Sequence, residues 1–216
     1  MKTLAVLGAS GHGKVLADTA IACGWDEVLF YDDAWPQRTT NGRWVVQGDS
    51  NALLADADGF DGVLVAIGNC AVRLARQREL QASGVVLATL IHPFAWLSPS
   101  ARLGAGTVVM AGAVINADAV LGDACIVNTG ATIDHDCILA DGVHISPGAH
   151  LAGNVVVGSC SWLGIGCAAR QGIRVGMRAV VGAGAVLVAD IADDQTVAGN
   201  PARLLAVSSC ANPNSI

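Results

Sequence analysis

The sequence predicts a small parallel α/β domain followed by a parallel β-solenoid. Three observations carry this expectation. From Leu97 to residue 192 the chain divides into sixteen hexads without an insertion, and fifteen of the sixteen first positions are Leu, Ile or Val. Residues 1–92 instead alternate short apolar runs with segments of helical spacing. Finally, eight of the nine aromatic residues fall in 1–96, whereas 15 of the 26 glycines fall in 97–192. An ordinary packed core therefore belongs to the first part, and a narrow, turn-rich interior to the second.

Taken in order, residues 4–7 form an apolar strand, and the glycine-rich turn Gly8-Ala9-Ser10-Gly11-His12-Gly13-Lys14 follows it. Residues 15–23 carry helically spaced apolar side chains, with Gly24 as the stop. Residues 28–31 form a second strand ending in Asp32-Asp33, residues 45–46 a third, and residues 62–68 a fourth. A helix over 71–83 and a last strand over 85–91 complete the alternation that favours a parallel sheet. Domain limits are expected at 1–95 and 96–205, with a polar tail over 206–216.

The solenoid reading rests on the period. A spacing of six does not keep residues on one face of a 3.6-residue helix. It suits short strands separated by turns, each presenting one aliphatic side chain inward. The fifth positions, among them Ala113, Cys125, Ala131, Cys137, Cys167 and Ala179, are small or β-branched and fit the corners. Gly, Asp and Asn gather between them, as turns require. Three of the seven cysteines are thereby assigned to the core. None of the seven has C-x-x-C spacing, and their odd number favours reduced thiols.

A formal net charge of −6 with only two lysines argues against nucleic-acid binding. No run of about 18 apolar residues is present to span a membrane. The N-terminus enters a strand directly, without a signal-peptide pattern, so a cytoplasmic location is expected.

The turn at 8–14 follows a strand and opens a helix, where free N–H groups attract phosphate. It matches G-x-x-x-x-G-K, but Val15 replaces the Ser or Thr that a nucleotide triphosphatase needs for magnesium. Its glycine spacing is not the dinucleotide G-x-G-x-x-G. A nucleotide-sugar site and a plain structural turn remain. Asp32 and Asp33, 19 and 20 residues after Gly13, stand where a carboxylate reaches a ribose or base. In the solenoid, His135 is flanked by Asp134 and Asp136, a polar exception in a plain wall. A carboxylate beside imidazole orients it and supports proton acceptance. Gly153, 18 residues on, should lie one coil above His135. His144 and His150 are one hexad apart and so on different faces, which disfavours a zinc site within one chain. No metal is expected.

Together, the turn at 8–14, Asp32-Asp33, Ala66-Ile67-Gly68-Asn69 with Arg73, His92-Pro93 and the hexads resemble the NeuD/PglD-like sugar O-/N-acyltransferase family of the hexapeptide-repeat superfamily. The resemblance covers about residues 2–205. It implies a Rossmann-like nucleotide-sugar-binding domain and a left-handed parallel β-helix with three hexads per coil. It further implies acetyl-CoA as cosubstrate, and a homotrimer with the acetyl donor between neighbouring solenoids. By resemblance, His135 is the general base, Asp136 its orienting partner and Asn128 a nearby polar contact. His144, the Gly153 N–H, Ile165 and Arg203 would meet acetyl-CoA. Ser10, His12, Asp32, Asp33, Gly68, Asn69 and Arg73 would hold the nucleotide sugar. The expected reaction is N-acetylation of the 4-amino group of a nucleotide-linked deoxysugar, of the UDP-bacillosamine or GDP-perosamine type. O-acetylation of a sialic-acid-type sugar and a non-catalytic nucleotide-sugar-binding trimer are the alternatives.

Overall fold

The computed structural model describes residues 1–205; the expected tail at 206–216 lies outside the described residues. The chain opens with β1 (Thr3–Leu7), α1 (Gly11–Ala22), β2 (Glu27–Tyr31), β3 (Thr40–Asn41), β4 (Trp44–Gly48), α2 (Ser50–Ala55), β5 (Gly62–Val65), α3 (Cys70–Ala82) and β6 (Leu90–Ile91). The first sheet has the order β3-β4-β2-β1-β5 and is parallel except for the β3–β4 hairpin. Helix α1 starts at Gly11, four residues before the apolar spacing begins. Strand β3 and helix α2 were not expected. Helix α2 is short, and its N-terminus is set by Asp49, whose carboxylate accepts from the Ala52 N–H at 2.9 Å.

One expectation is corrected. Residues 85–91 are not a single strand of the α/β sheet. Leu87 makes an isolated bridge to Val63, and Leu90–Ile91 then pairs in parallel with Val108–Val109. The segment leaves one sheet and joins another, so β6 is already a rung of the solenoid.

The solenoid is a prism with three parallel sheets, and each strand pairs with the strand 18 residues later. The docked face runs from β6 through Val108–Val109, Ile126–Val127, His144–Ile145, Trp162–Leu163 and Val180–Val181 to the terminal hairpin Thr196–Ala198/Arg203–Leu204. The second face runs from Trp96–Leu97 to Val186–Leu187, and the third from Arg102–Leu103 to Arg174–Val175. Inward aliphatics such as Val127, Ile133 and Ile145 are fully buried, as are Cys125, Cys137 and Cys167 at the corners. Each such aliphatic contributes about 1.5–3 kcal/mol of burial.

The α/β domain sits on the docked face. Leu16, Ala17 and Ala20 of α1 share one apolar cluster with Val108, Met110 and Ile126. Strand β1 is flanked by β2, reached through α1, and by β5, reached through α2. The connections diverge between β1 and β5, and the loops that follow them, at 8–10 and 66–69, form the crevice where such sheets bind ligands. The two loops are in close contact: a Cβ on Gly8 would lie 2.9 Å from the Ala66 oxygen, and Gly8 has φ +112°.

Candidate active site

The vertex between the second and third faces is farthest from the docked domain, and it carries His135. Its Nδ1 lies 2.7 Å from the Asp136 carboxylate, and both side chains are exposed. Asp136 occupies a turn position with φ 59°, shared by Asp118 one coil below and Asn154 one coil above. Asp and Asn tolerate that conformation better than most residues, so the repeat itself presents a carboxylate there. Asp134 accepts from the His135 N–H at 2.8 Å and from the Asn116 amide at 3.0 Å. These bonds hold its carboxyl below the usual range, the His135 N–H contributing most. The Asp136 hydrogen bond raises the His135 pKa, with both carboxylates adding to it.

The imidazole lies over Gly153. A Cβ at that position would sit 2.5 Å from both Cε1 and Nε2. The absence of a side chain is what lets the ring lie there. The Gly153 N–H has no hydrogen-bond partner among the described residues. Nε2, a free N–H and an orienting carboxylate thus converge at one exposed spot.

A second group gathers at the docked face. His12, in the first turn of α1, lies with its ring centroid 6.3 Å from that of His144, which in turn lies 6.5 Å from Trp162. Burial and the nearby Arg73 guanidinium push His12 down to about 4 and His144 to about 3, so both are neutral at physiological pH. His12 Nε2 is buried without a partner. Asn128 Nδ2 stands 3.4 Å from His144 Nε2. Ser10 is the N-cap of α1 and is exposed, with no side-chain capping bond. Gly68 is exposed with open space on its Cβ side, and Asn69 caps α3 by accepting from the Val72 N–H. Ile165 lies on the turn two coils above Thr129, 59% exposed. Arg203 belongs to the terminal hairpin of the docked face.

Several expected contacts take other roles. Arg73 does not face the crevice. It is 1% exposed, and it donates to the carbonyls of Ile67, Gly68, Ala124 and Gly142 at 2.8–3.0 Å. The reason is that the first turn of α3 abuts the solenoid, so the guanidinium is consumed in joining the domains. Asn128 does not adjoin His135: seven residues exceed one hexad, which moves it to the neighbouring vertex and beside His144. Asp32 accepts from the Ala9 and Ala34 N–H groups and meets Arg38, so it shapes the turn. Asp33 accepts from the Ser50 N–H and pairs with Arg76 at 3.0 Å. The Ser50 hydrogen bonds, more than Arg76, lower its pKa.

Two contributors escaped the sequence reading. Asn41, 5% exposed, donates to the Ser10 carbonyl at 3.1 Å, and Arg38 donates to the Ala9 carbonyl at 2.7 Å. Both come from the unexpected segment before β4, which carries no local signal of what it will touch.

A β-helix with a histidine–carboxylate pair on one vertex and a nucleotide-type crevice docked on the opposite face defines a hexapeptide-repeat acyltransferase with an added recognition domain. The chain belongs to the PglD-like family of sugar acetyltransferases. Residues 3–80 match the family model for the PglD N-terminal domain. The structure superposes on the acetyltransferase domain of PglB from Neisseria gonorrhoeae with a TM-score of 0.90 and 47% identity, covering 95% of this chain and all of that one. It superposes on PerB from Caulobacter crescentus, solved with CoA and GDP-perosamine, with a TM-score of 0.89 and 39% identity over 95% and 98% of the two chains. The UDP-N-acetylbacillosamine N-acetyltransferase of Bacillus subtilis is 37% identical over 118 residues, 51% of this chain and 52% of that protein; the match thus spans about half of that relative. The expected left-handed β-helix after a parallel α/β domain is borne out. No helix of the described residues is long and apolar enough to cross a membrane.

Proposed function

We propose that the protein is an acetyl-CoA-dependent N-acetyltransferase acting on the 4-amino group of a nucleotide-linked deoxysugar. The observation that carries this reading is His135: its Nδ1 is held by Asp136 and its Nε2 is open beside the unpaired Gly153 N–H. Proton on Nδ1 leaves Nε2 as the acceptor. The substrate amine attacks the thioester carbonyl, an N–C bond forms, and the amine proton passes to Nε2. The Gly153 N–H faces the negative charge that develops on the carbonyl oxygen. Collapse breaks the C–S bond, and the thiolate leaves with the proton that His135 returns.

The sugar nucleotide is assigned to the crevice at 8–12 and 66–69. The first N–H groups of α1 serve the diphosphate there, and the unpartnered His12 Nε2 supplies a neutral hydrogen-bonding group. His144, Asn128 and Ile165 line the same side. This wall and the His135 vertex lie on opposite sides of one prism. A complete site therefore brings the His135 vertex of one copy to the docked face of the next. That contact is heterologous and closes into a ring, and the homotrimer implied by the family is the closure we assign. A cytoplasmic location fits a substrate and cosubstrate of this kind.

The test is His135→Ala. Its kcat should fall by about 10²–10⁴-fold, the usual contribution of a general base, while the nucleotide sugar binds with unchanged affinity in calorimetry. Wild-type turnover across the pH range would overturn the base assignment. Product analysis should give an amide; an ester would move the reading to O-acetylation.

A further inference from the structure

The solenoid distributes its charge unevenly along its axis. Of the chain's 12 basic residues, five lie in 97–205: Arg102, Arg170, Arg174, Arg178 and Arg203. Between residues 142 and 189 there is no Asp or Glu at all, whereas Asp118, Asp123, Asp134, Asp136 and Asp141 crowd the coils below. Three of the arginines thus stand in a belt of the prism cleared of carboxylates.

Their position on that belt is specific. The ladder pairs Ile138 with Val156 and Val156 with Arg174, so Arg174 lies two coils above Ile138 on the third face. By the same 36-residue step, Arg170 lies two coils above Asp134. The two arginines flank the vertex that carries His135 and then Gly153. At the spacing of neighbouring strands, two coils amount to about 10 Å along the axis. Arg170 and Arg174 are exposed, and neither makes an ion pair among the described residues. Arg178 differs: it is locked to Asp194 through two bonds. The nearest carboxylate to the pair is Asp190, which accepts from the Arg174 backbone N–H at 2.9 Å.

We propose that Arg170 and Arg174 hold the phosphate groups of the coenzyme A thioester, which fixes the thioester at His135 and the phosphates toward the C-terminal coils. This rests on the acetyl-CoA reading above. Two unpaired guanidinium groups straddling one vertex offer charge-assisted bonds to phosphate oxygens. The carboxylate-free belt removes the competing anions. Arg203, by contrast, stands on the docked face, across the prism from the His135 vertex, and donates to the Ala202 carbonyl.

The test compares acetyl-CoA with acetyl-pantetheine, a thioester lacking the nucleotide and its phosphates. For Arg170→Ala and Arg174→Ala, the KM for acetyl-CoA should rise about tenfold each, kcat should stay within twofold, and the KM for acetyl-pantetheine should not move. Arg102→Ala, on the third face four coils below Arg174, should leave both KM values unchanged. Dephospho-CoA thioester separates the diphosphate from the remaining phosphate. Equal effects on both thioesters, or no effect on either, would overturn the assignment while leaving acetyl-CoA binding by the wild type intact. If calorimetry finds no acetyl-CoA binding to the wild type, the functional reading itself falls.

Discussion

His135 sets the chemistry through two neighbours, and each can be tested separately. A base acts when it is unprotonated, and Asp136 raises the His135 pKa above its ordinary value of 6.5. The acid limb of kcat/KM should therefore lie above 6.5. Asp136→Asn removes the largest cause of the shift, so that limb should move to lower pH while the plateau falls. A limb that stays in place would show that another group governs it. Gly153→Ala tests the geometry, since its Cβ would occupy the space of Cε1 and Nε2. The backbone there needs no left-handed conformation, so the expected loss is in kcat, with little change in Tm. The two buried histidines act on stability instead. Their folded pKa values, about 4 for His12 and about 3 for His144, lie below the unfolded value of 6.5. Below pH 6.5 the unfolded chain binds protons that the folded chain refuses, so their contribution is complete above 6.5 and is lost as pH falls toward 3–4. Thermal melts should show Tm dropping over that window, with a shallower drop in His144→Gln.

At the level of elements, helix α3 joins the two domains. Arg73→Leu would leave the carbonyls of Ile67, Gly68, Ala124 and Gly142 without their shared donor, so it should cost about 3 kcal/mol or more in urea unfolding. A variant with wild-type stability but weak nucleotide-sugar binding would return Arg73 to the substrate. This residue also marks the limit of sequence reading. The coils were legible because each strand contacts only its copies 18 residues away, so the period states the contacts directly. Strand β1 and helix α3 were legible from local spacing. The role of Arg73 was not, because its partners Ala124 and Gly142 lie 51 and 69 residues away in another domain. His135 and Asp136 were found because they interrupt the repeat. The separation of Asn128 from His135 followed from counting hexads, yet the resemblance had placed them side by side.

For the whole molecule, the decisive arrangement is that the His135 vertex and the His12–His144 crevice lie on opposite sides of one prism. Each site then takes its two walls from different copies. His135→Ala and His12→Ala, each inactive alone, should regain activity when unfolded and refolded together. Random ring assembly from equal amounts gives about one intact site in four. No recovery in mixtures shown by mass spectrometry to contain mixed rings would mean that both walls serve the same chain. The annealing of β6 into the docked face has a further consequence for recombination. A chimera that exchanges the recognition domain for one reading a different nucleotide must not be cut at residue 95, because Leu90–Ile91 already serves as the first rung of the neighbouring sheet. The fusion point that respects both hydrogen-bond ladders falls before residue 90, and a graft made there carries its own foundation for the coils that follow.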